Sequence, residues 1–264
     1  MSTAALKCDV SPFFDQLRTA TERLLLLDYD GTIAPFSTDR KRALPYPSVA
    51  ELLESIRCTC RTRVVLISGR SADEIPSLLG LACHPEIWGV HGLERLFPDD
   101  RHQVVYLSEN TLQALAEARG ILDRAGLTEL CEFKAGAVAV HWRGLSQRHV
   151  EEIRAQIYSL LGPLACRGNL LLTEFDGGAE LKARGANKGY AVKTLLSETD
   201  DSVPVAYLGD DATDEDAFQA MEDRGLPVLV NRKWRSTRAK MWIQPPEELL
   251  QFLNDWIRAC GGDV

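Results

Sequence analysis

The chain has 264 residues, of which 45% are hydrophobic and 26% are charged, a composition typical of a globular protein and not of a disordered one. Its formal net charge of -8 argues against a protein that holds nucleic acid on a broad basic surface. The N-terminal stretch lacks a basic segment followed by an apolar run of signal-peptide length, and no later window approaches about 18 uninterrupted apolar residues. We therefore expect a cytoplasmic monomer without a nucleic-acid or membrane partner.

The outer parts of the chain alternate short apolar runs with helical patterns. Such runs are typical of parallel strands buried on both faces, and they lie at 24–28, 64–68, 87–90, 205–209 and 226–230. Helices fit between them, for example over 48–57, where Val49, Leu53 and Ile56 share one face. These parts of the chain predict an α/β fold with a Rossmann-like, doubly wound parallel sheet.

The middle of the chain follows a different pattern. After the polar stretch 98–103, helical patterns at 111–125 and 147–161 alternate with pairs of strands at 130–143 and 170–182. The parallel pattern resumes near Lys188. We therefore predict a Rossmann-like core made of residues 1–103 and 185–264, with an α+β cap domain of residues 104–184 inserted in it.

Three of the predicted strands end in polar residues: Asp28 and Asp30, then Ser68, Gly69 and Arg70, then Asp210 and Asp211. In an open α/β sheet, ligands bind beyond the carboxyl ends of the strands. Carboxylates that lie close together repel and raise one another's pKa unless a cation lies among them, and ligation by oxygen alone suits Mg²⁺. The sequence therefore predicts Mg²⁺ and an anionic ligand at this edge of the sheet.

Phosphoryl transfer is one chemistry that uses such a site. An aspartate attacks phosphorus, and water later hydrolyses the aspartyl phosphate. The reaction needs a nucleophile, an acid/base, a divalent cation and donors for the phosphoryl oxygens. The chain has candidates for the donors, since Ser68 offers a hydroxyl, Gly69 permits close backbone approach, and Lys188 can place a positive charge on a phosphate.

In these residues the chain resembles the haloacid dehalogenase superfamily of phosphatases. The matches to its four motifs, in the right order, are Asp28-Tyr29-Asp30-Gly31-Thr32, Ser68, Lys188, and Asp210-Asp211 with Asp214. The resemblance implies that Asp28 is the nucleophile and that Asp30 protonates the leaving oxygen and then activates water. It also implies a metal site at Asp28, Asp210 and the Asp30 carbonyl oxygen, with Asp214 in support. The inserted α+β unit is similar to this superfamily's α/β type of cap.

Narrower features resemble the trehalose-6-phosphate phosphatases. They are ISGR (67–70), GVHGLE (89–94), the Glu-x-Lys of 132–134 and GDDATDEDAF (209–218). The resemblance spans about residues 22 to 250 and implies a sugar phosphate as substrate, with Gly69, Arg70 and His91 among its contacts. Where that family usually has Glu-x-Arg-Pro, this chain has Glu180-Leu181-Lys182-Ala183.

Three predicted strands of the cap carry polar side chains at i and i+2, which share a face of a strand. The pairs are Glu132 with Lys134, His141 with Arg143, and Glu180 with Lys182. A sheet covered by helices on one side leaves its other face free, and the donors and acceptors there suit sugar hydroxyls. By the same parity Trp142 packs under the cap helices. The resemblance implies that Glu132, Lys134 and Glu180 contact the distal sugar, and we predict that Arg143 and Lys182 also bind substrate.

Other functions remain compatible with the residues. The substrate can be another sugar phosphate, such as sucrose phosphate or glucosylglycerol phosphate, and a phosphomutase can use the same nucleophile. A noncatalytic receiver can also bind Mg²⁺ and phosphoanions in an acidic pocket, but receivers are near half this length, lack a cap and have little use for an acid/base at Asp30.

Two further charged groups have an ordinary surface interpretation. Asp211 and Glu215 are as typical of solvated acids in a first helical turn as of metal ligands. The run KWRSTRAK, residues 233–240, is typical of a solvated basic face.

Overall fold

The computed structural model describes residues 9–37, 39–105, 107–167, 169–175, 177–185, 187–221 and 224–262. The chain divides into two compact units, Met1–Gln103 with Asn187–Val264, and Val104–Ala186. We call the first the core unit and the second the insert.

The strands and helices follow one another along the whole chain. The strands are β1 (Arg23–Leu27), β2 (Thr62–Ile67), β3 (Glu86–Gly89), β4 (Glu94–Leu96), β5 (His102–Val104), β6 (Cys131–Lys134), β7 (Ala137–His141), β8 (Leu170–Phe175), β9 (Gly178–Ala183), β10 (Val205–Gly209), β11 (Leu226–Val230) and β12 (Met241–Ile243). The helices are α1 (Ser11–Thr19), α2 (Val49–Thr59), α3 (Ile75–Leu79), α4 (Glu109–Arg124), α5 (Gln147–Arg167), α6 (Lys188–Ser197), α7 (Glu215–Met221) and α8 (Glu247–Ala259).

The core unit is built on a sheet in the order β12-β11-β10-β1-β2-β3-β4-β5. Its neighbours pair in parallel from β12 to β3, and β4 is antiparallel to β3. The predicted α/β fold with a mostly parallel core sheet is therefore confirmed. β10, β1 and β2 are adjacent, which brings the carboxyl ends of three predicted strands side by side.

The four leucines of β1 are all buried because helices cover both faces of the sheet. Leu25 and Leu27 belong to a core cluster that includes residues of α1, α2 and α8. Leu24 and Leu26 belong to a second cluster, which includes residues of α6 and α7. Successive side chains of a strand point to opposite faces, so an unbroken apolar run is what a doubly wound sheet requires.

The insert has its own antiparallel sheet in the order β6-β7-β9-β8. The helices α4 and α5 pack against this sheet. Along the chain, α4 is followed by the hairpin β6–β7, and α5 is followed by the hairpin β8–β9, which confirms the predicted order of helix, hairpin, helix, hairpin. Trp142 is buried, and the Arg154 guanidinium of α5 lies 5.5 Å from its ring centroid. That contact confirms the parity prediction for Trp142. Asp176, at the predicted turn of the second hairpin, lies outside the described residues.

Within the described part of the chain, no helix combines the length and the apolar character that crossing a bilayer demands.

Candidate active site

The candidate site lies at the carboxyl ends of β10, β1 and β2. Asp28 follows β1, and its backbone N–H donates to the Leu208 carbonyl of β10 at 2.8 Å, which continues the strand pairing into the site. Ser68 follows β2, and Asp210 follows β10. All three side chains are buried. Parallel pairing therefore brings together polar residues that lie far apart in the sequence.

Lys188 is the first residue of α6, and it connects two of the acids. Its Nζ donates to Asp28 Oδ1 at 2.6 Å and to Asp214 Oδ1 at 2.8 Å. A cation at a helix N-terminus lies at the positive end of the helix dipole, which is unfavourable by itself. Burial lowers the pKa of Lys188, but the Asp214 and Asp28 carboxylates outweigh it and raise that pKa above its ordinary value. The ammonium group therefore stays charged.

Asp214 is fully buried and holds the loop that follows β10. Its Oδ1 accepts from Tyr207 Oη as well as from Lys188 Nζ. Its Oδ2 accepts from the backbone N–H groups of Asp210 and Asp211 at 2.9 and 3.0 Å. Both oxygens thus carry two hydrogen bonds, an arrangement that suits support of the loop better than direct coordination of a metal. The assignment of Asp214 as a metal-site residue stays a prediction.

Asp211 is not the solvated acid that its position in a first turn suggests. Its Oδ1 accepts from the backbone N–H of Thr213 at 2.8 Å and from the Thr213 hydroxyl at 2.6 Å, so it caps the turn Ala212–Asp214. Burial raises the pKa of Asp211, but the Lys188 charge and the Thr213 hydrogen bonds outweigh it and lower that pKa. The loop is therefore fixed by its own acids.

Asp28, Asp210 and Asp214 form a group of carboxylates whose nearest oxygens lie within 4.8 Å of one another. Burial, followed by the charge of Asp28, raises the pKa of Asp210. Burial also raises the pKa of Asp28, against the charge of Lys188. If all three acids were ionised, one lysine would leave this buried volume with excess negative charge, and the raised pKa values reflect that repulsion together with burial. A cation among them would remove the repulsion.

The donor set fits a hard divalent cation such as Mg²⁺. Asp28 Oδ2 accepts from Thr32 Oγ1 at 3.1 Å, and its Oδ1 accepts from Lys188. The Asp210 carboxylate faces the same volume, and none of the described residues donates a hydrogen bond to it. A buried carboxylate without a donor is costly unless a cation binds it. Oxygen ligands are the ones that Mg²⁺ prefers.

Gly31 explains why a glycine follows the two aspartates of the first motif. Its φ is +88°, a conformation that favours glycine. A Cβ at this position would also collide with the Asp210 carboxylate and the Phe36 ring. Only hydrogen at this position leaves room for Asp210 beside the β1 loop.

Arg70 forms a bidentate ion pair with Asp30. Its Nε donates to Asp30 Oδ2 and its Nη2 donates to Asp30 Oδ1, both at 2.6 Å. Arg70 is buried, and its backbone N–H donates to Ser68 Oγ at 3.1 Å. The structure thus brings the predicted second-motif serine, this arginine and the predicted acid/base together. The role of Arg70 as a substrate contact stays a prediction.

His91 packs on Gly69, so two of the predicted substrate contacts touch each other. A Cβ on Gly69 would lie 2.7 Å from His91 Cε1, which explains the need for glycine there. The backbone N–H of His91 donates to the Ser68 carbonyl at 2.9 Å, and that of Val90 donates to the Arg70 carbonyl at 2.7 Å. Val90 and His91 have positive φ values of 47° and 53°. For a β-branched residue such as Val90 this conformation is strained, and such strain clusters at functional sites.

The predicted polar residues of the insert share one face of its sheet. Glu132, Ala139 and Glu180 are register partners, and so are Lys134, Ala137 and Lys182. Lys134 Nζ donates to Glu180 Oε1 at 3.2 Å, and His141 Nε2 donates to Glu132 Oε2 at 2.9 Å. The small side chains of Ala137 and Ala139 lie between these polar groups.

Arg143 follows β7, and it is exposed beside Gly177 at the turn of the second hairpin. Its role as a substrate contact is a prediction like those of the other insert residues.

Some side chains at the site were not identified from the sequence. Tyr207 lies in the apolar run of β10, and its hydroxyl donates to Asp214 Oδ1. A tyrosine in a buried strand is the signal available in the sequence, because a buried hydroxyl usually has a hydrogen-bond partner. Glu94 accepts from the backbone N–H of Ala72 at 2.9 Å and from Ser71 Oγ at 2.8 Å. Glu94 therefore holds the segment that follows Arg70.

The sequence of the chain is similar to those of known proteins over most of its length. The chain matches the family described as Trehalose-phosphatase over residues 26–241. It is 29% identical over 248 residues to the trehalose-phosphate phosphatase of Mycobacterium marinum, and this match covers 89% of this chain and 61% of that protein. It is 26% identical over 276 residues to trehalose-phosphate phosphatase B of Arabidopsis thaliana, and this match covers 95% of this chain and 72% of that protein.

A solved structure is similar over nearly the same extent. It is the crystal structure of a trehalose-6-phosphate phosphatase related protein, with a TM-score of 0.69 and 25% identity, covering 88% of this chain and 95% of that chain. The chain spans only 57 to 61% of the length of the mycobacterial proteins that it matches.

Proposed function

The chain belongs to the trehalose-phosphatase family, and from this premise we propose that it is a Mg²⁺-dependent phosphatase that hydrolyses trehalose 6-phosphate to trehalose and phosphate. The observation that carries the proposal is the convergence of Asp28, Lys188, Asp210 and Asp214 in one buried volume. A binding protein has no need of an acid/base beside a nucleophile, and Asp30 supplies one. This favours an enzyme over a noncatalytic receiver.

Asp28 is the nucleophile of the proposed reaction. One of its oxygens bonds to phosphorus while the bond between phosphorus and the sugar oxygen breaks, and Asp30 gives its proton to that oxygen. In the second step Asp30 takes a proton from a water whose oxygen bonds to phosphorus. The bond between phosphorus and Asp28 then breaks, which releases phosphate and restores both aspartates.

Lys188 and Thr32 orient the nucleophile. Their hydrogen bonds to the two oxygens fix the plane of the Asp28 carboxylate. The Lys188 ammonium and the Ser68 hydroxyl are then the donors for phosphoryl oxygens. Through its two hydrogen bonds Arg70 holds the ionised form of Asp30, the form that accepts a proton from water in the second step. Asp30 has to leave this ion pair and take up a proton from solvent before it can act as the acid of the first step.

The Asp28 and Asp210 carboxylates and the Asp30 carbonyl oxygen are the residues proposed to hold Mg²⁺. When bound, Mg²⁺ neutralises the charge that the carboxylates and phosphoryl oxygens bring together, and it favours the ionised form of Asp28. Asp214 supports this set through the backbone of Asp210.

The insert is proposed to bind the sugar. The polar face of its sheet carries both carboxylates and ammonium groups, at Glu132, Lys134, Glu180 and Lys182, and Arg143 lies near the end of β7. Sugar hydroxyls both donate and accept hydrogen bonds, so they suit such a mixture. The residues Glu180-Leu181-Lys182-Ala183 differ from the usual family pattern, and for this reason sucrose phosphate and glucosylglycerol phosphate are the alternative substrates.

Release of inorganic phosphate tests the proposal. The full chain is incubated with Mg²⁺ and each of the three sugar phosphates, and phosphate is measured over time. We expect the highest kcat/KM for trehalose 6-phosphate. Rapid turnover of another sugar phosphate with none of trehalose 6-phosphate would reject the substrate, and transfer of phosphate between hydroxyls without release would indicate a phosphomutase.

A further inference from the structure

Arg235 belongs to the run 233–240, for which the sequence predicts a solvated basic face. That prediction is wrong for Arg235, whose side chain is only 27% exposed. Its Nε donates to the Asp210 carbonyl at 3.2 Å, and its Nη2 donates to the Asp211 carbonyl. Its Nη1 pairs with the Glu215 carboxylate in the first turn of α7. One guanidinium thus connects the loop after β10 with the helix that follows it.

Asn231 reaches the same carbonyl. Its Nδ2 donates to the Asp210 carbonyl at 3.2 Å. Its own backbone is fixed, because its N–H donates to the Ile243 carbonyl at 3.0 Å and its carbonyl accepts from Trp242 Nε1 at 2.6 Å. Two side chains from the segment after β11 therefore converge on one peptide group of the candidate metal loop.

Glu215 balances the charge of Arg235. Its Oε1 accepts from Arg235, and its Oε2 accepts from the backbone N–H of Arg238 at 2.8 Å. Since an arginine beside a cation site would repel the cation, a neutralising carboxylate lets the guanidinium serve as a fork of hydrogen-bond donors. Glu215 also anchors the segment that carries Arg235.

The backbone of Asp210 and Asp211 is therefore held on both sides. Asp214 accepts from the two N–H groups, and Arg235 donates to the two carbonyl groups. The Asp210 carboxylate has no donor among the described residues, so its direction depends on how firmly its own backbone is fixed. A metal ligand placed in this way needs a rigid loop, since a rotation of the peptide would carry the carboxylate away from Asp28.

We propose that Arg235, assisted by Asn231, is a positioning residue that aims the Asp210 carboxylate at the divalent cation. This inference rests on the proposed function for the identity of that cation, and it adds a residue outside the four motifs to the metal site. Lysine at this position has one ammonium group, which cannot span the Asp210 carbonyl, the Asp211 carbonyl and Glu215 together. The planar fork of arginine can.

The experiment measures Mg²⁺ binding directly. Calorimetric titration with Mg²⁺ is performed on the full chain and on the variants Arg235→Gln and Arg235→Lys. Arg238→Gln is the matched control, because Arg238 lies in the same segment as Arg235. The Arg238 side chain makes no hydrogen bond or ion pair with any residue that the structure describes. Loss of an outer partner of a metal site weakens metal affinity by about 10- to 100-fold. We expect a rise in Kd of this size for both Arg235 variants. For Arg238→Gln we expect a Kd within about twofold of that of the unmodified chain, because an ordinary surface substitution has a small effect.

A second measurement separates positioning from general stability. The Mg²⁺ concentration for half-maximal phosphate release should rise with Kd, and saturating Mg²⁺ should restore most of kcat in Arg235→Lys. An unchanged Kd in a folded Arg235 variant would overturn the proposal. Failure of both Arg235 variants to fold while Arg238→Gln folds would also overturn it, because Arg235 would then act through stability alone. If the unmodified chain binds Mg²⁺ but releases no phosphate from trehalose 6-phosphate, the proposed function fails and the Mg²⁺ titrations still decide the role of Arg235.

Discussion

Arg70 donates to both carboxylate oxygens of Asp30 at 2.6 Å, although the two residues are 40 positions apart in the sequence. Arg70 is buried, so solvent does not compete for this pair as it does at an exposed site. The pair fixes the proposed acid/base relative to Ser68, whose hydroxyl accepts from the backbone N–H of Arg70.

Replacing Arg70 with lysine tests this pair. Arg70→Lys keeps the charge but cannot form two parallel hydrogen bonds to one carboxylate. Because general acid/base catalysis contributes about 10²- to 10⁴-fold, we expect kcat to fall by about 10- to 100-fold with little change in KM. Initial rates of phosphate release over a range of substrate concentrations check this. A rise in KM at constant kcat would instead assign Arg70 to substrate binding, the role that the sequence predicts.

Asp28→Asn tests the nucleophile. The amide cannot attack phosphorus, so we expect phosphate release to fall by about 10⁴-fold or more, as for other removed nucleophiles. The fold should survive, because Lys188 keeps Asp214 as a partner and the substitution removes a charge from a crowded acidic group. Circular dichroism and thermal unfolding check the fold. Activity equal to that of the unmodified chain would remove Asp28 from this role.

The parts of the fold that the sequence predicts are those whose pattern is local. β1 is evident because burial on both faces requires a continuous apolar run, and the two hairpins of the insert show strand runs separated by turn residues. The strands β4 and β12 have only three residues each. So short a strand has no periodicity of its own, and its pairing with a neighbour defines it.

The same distinction applies to the site. Asp28, Asp30 and Asp210 are recognisable because they end apolar strands, and a parallel sheet aligns strand ends. Arg235 gives no such signal, since a basic run has the same composition whether it is solvated or contacts a loop. Its carbonyl partners lie 24 and 25 residues earlier in the chain, so the three-dimensional structure is needed to find them.

Gly31→Ala tests the packing of the metal loop. A left-handed conformation costs an alanine about 1–2 kcal/mol, and the added Cβ would in addition collide with the Asp210 carboxylate. Gly80→Ala is the matched control, because Gly80 also has a positive φ, of 66°, but has nothing within 4 Å of an added Cβ. We expect both variants to lose stability in thermal unfolding and only Gly31→Ala to lose Mg²⁺ affinity. Equal Mg²⁺ affinity in the two variants would show that the Asp210 carboxylate does not need this space.

Glu180→Gln tests the polar face of the sheet in the insert. Glu180 and Lys134 form an ion pair in which both side chains are largely buried. Glutamine keeps the size of the side chain but removes a charged acceptor for a sugar hydroxyl, and hydrogen bonds to charged groups contribute about 1.5–3 kcal/mol. We therefore expect a rise in KM for trehalose 6-phosphate of about 10- to 100-fold, since each 1.4 kcal/mol is tenfold in affinity.

The control and the second substrate make this test specific to the sugar. Glu174→Gln changes a carboxylate on the opposite face of the same sheet, where Glu174 pairs with Arg154, and it should leave KM unchanged. Hydrolysis of p-nitrophenyl phosphate, which has no sugar, depends on the acids of the core unit and not on sugar contacts. It should proceed at the same rate in the unmodified chain and in Glu180→Gln. If Glu180→Gln lowers both reactions equally, Glu180 acts on the stability of the insert and not on recognition of the sugar.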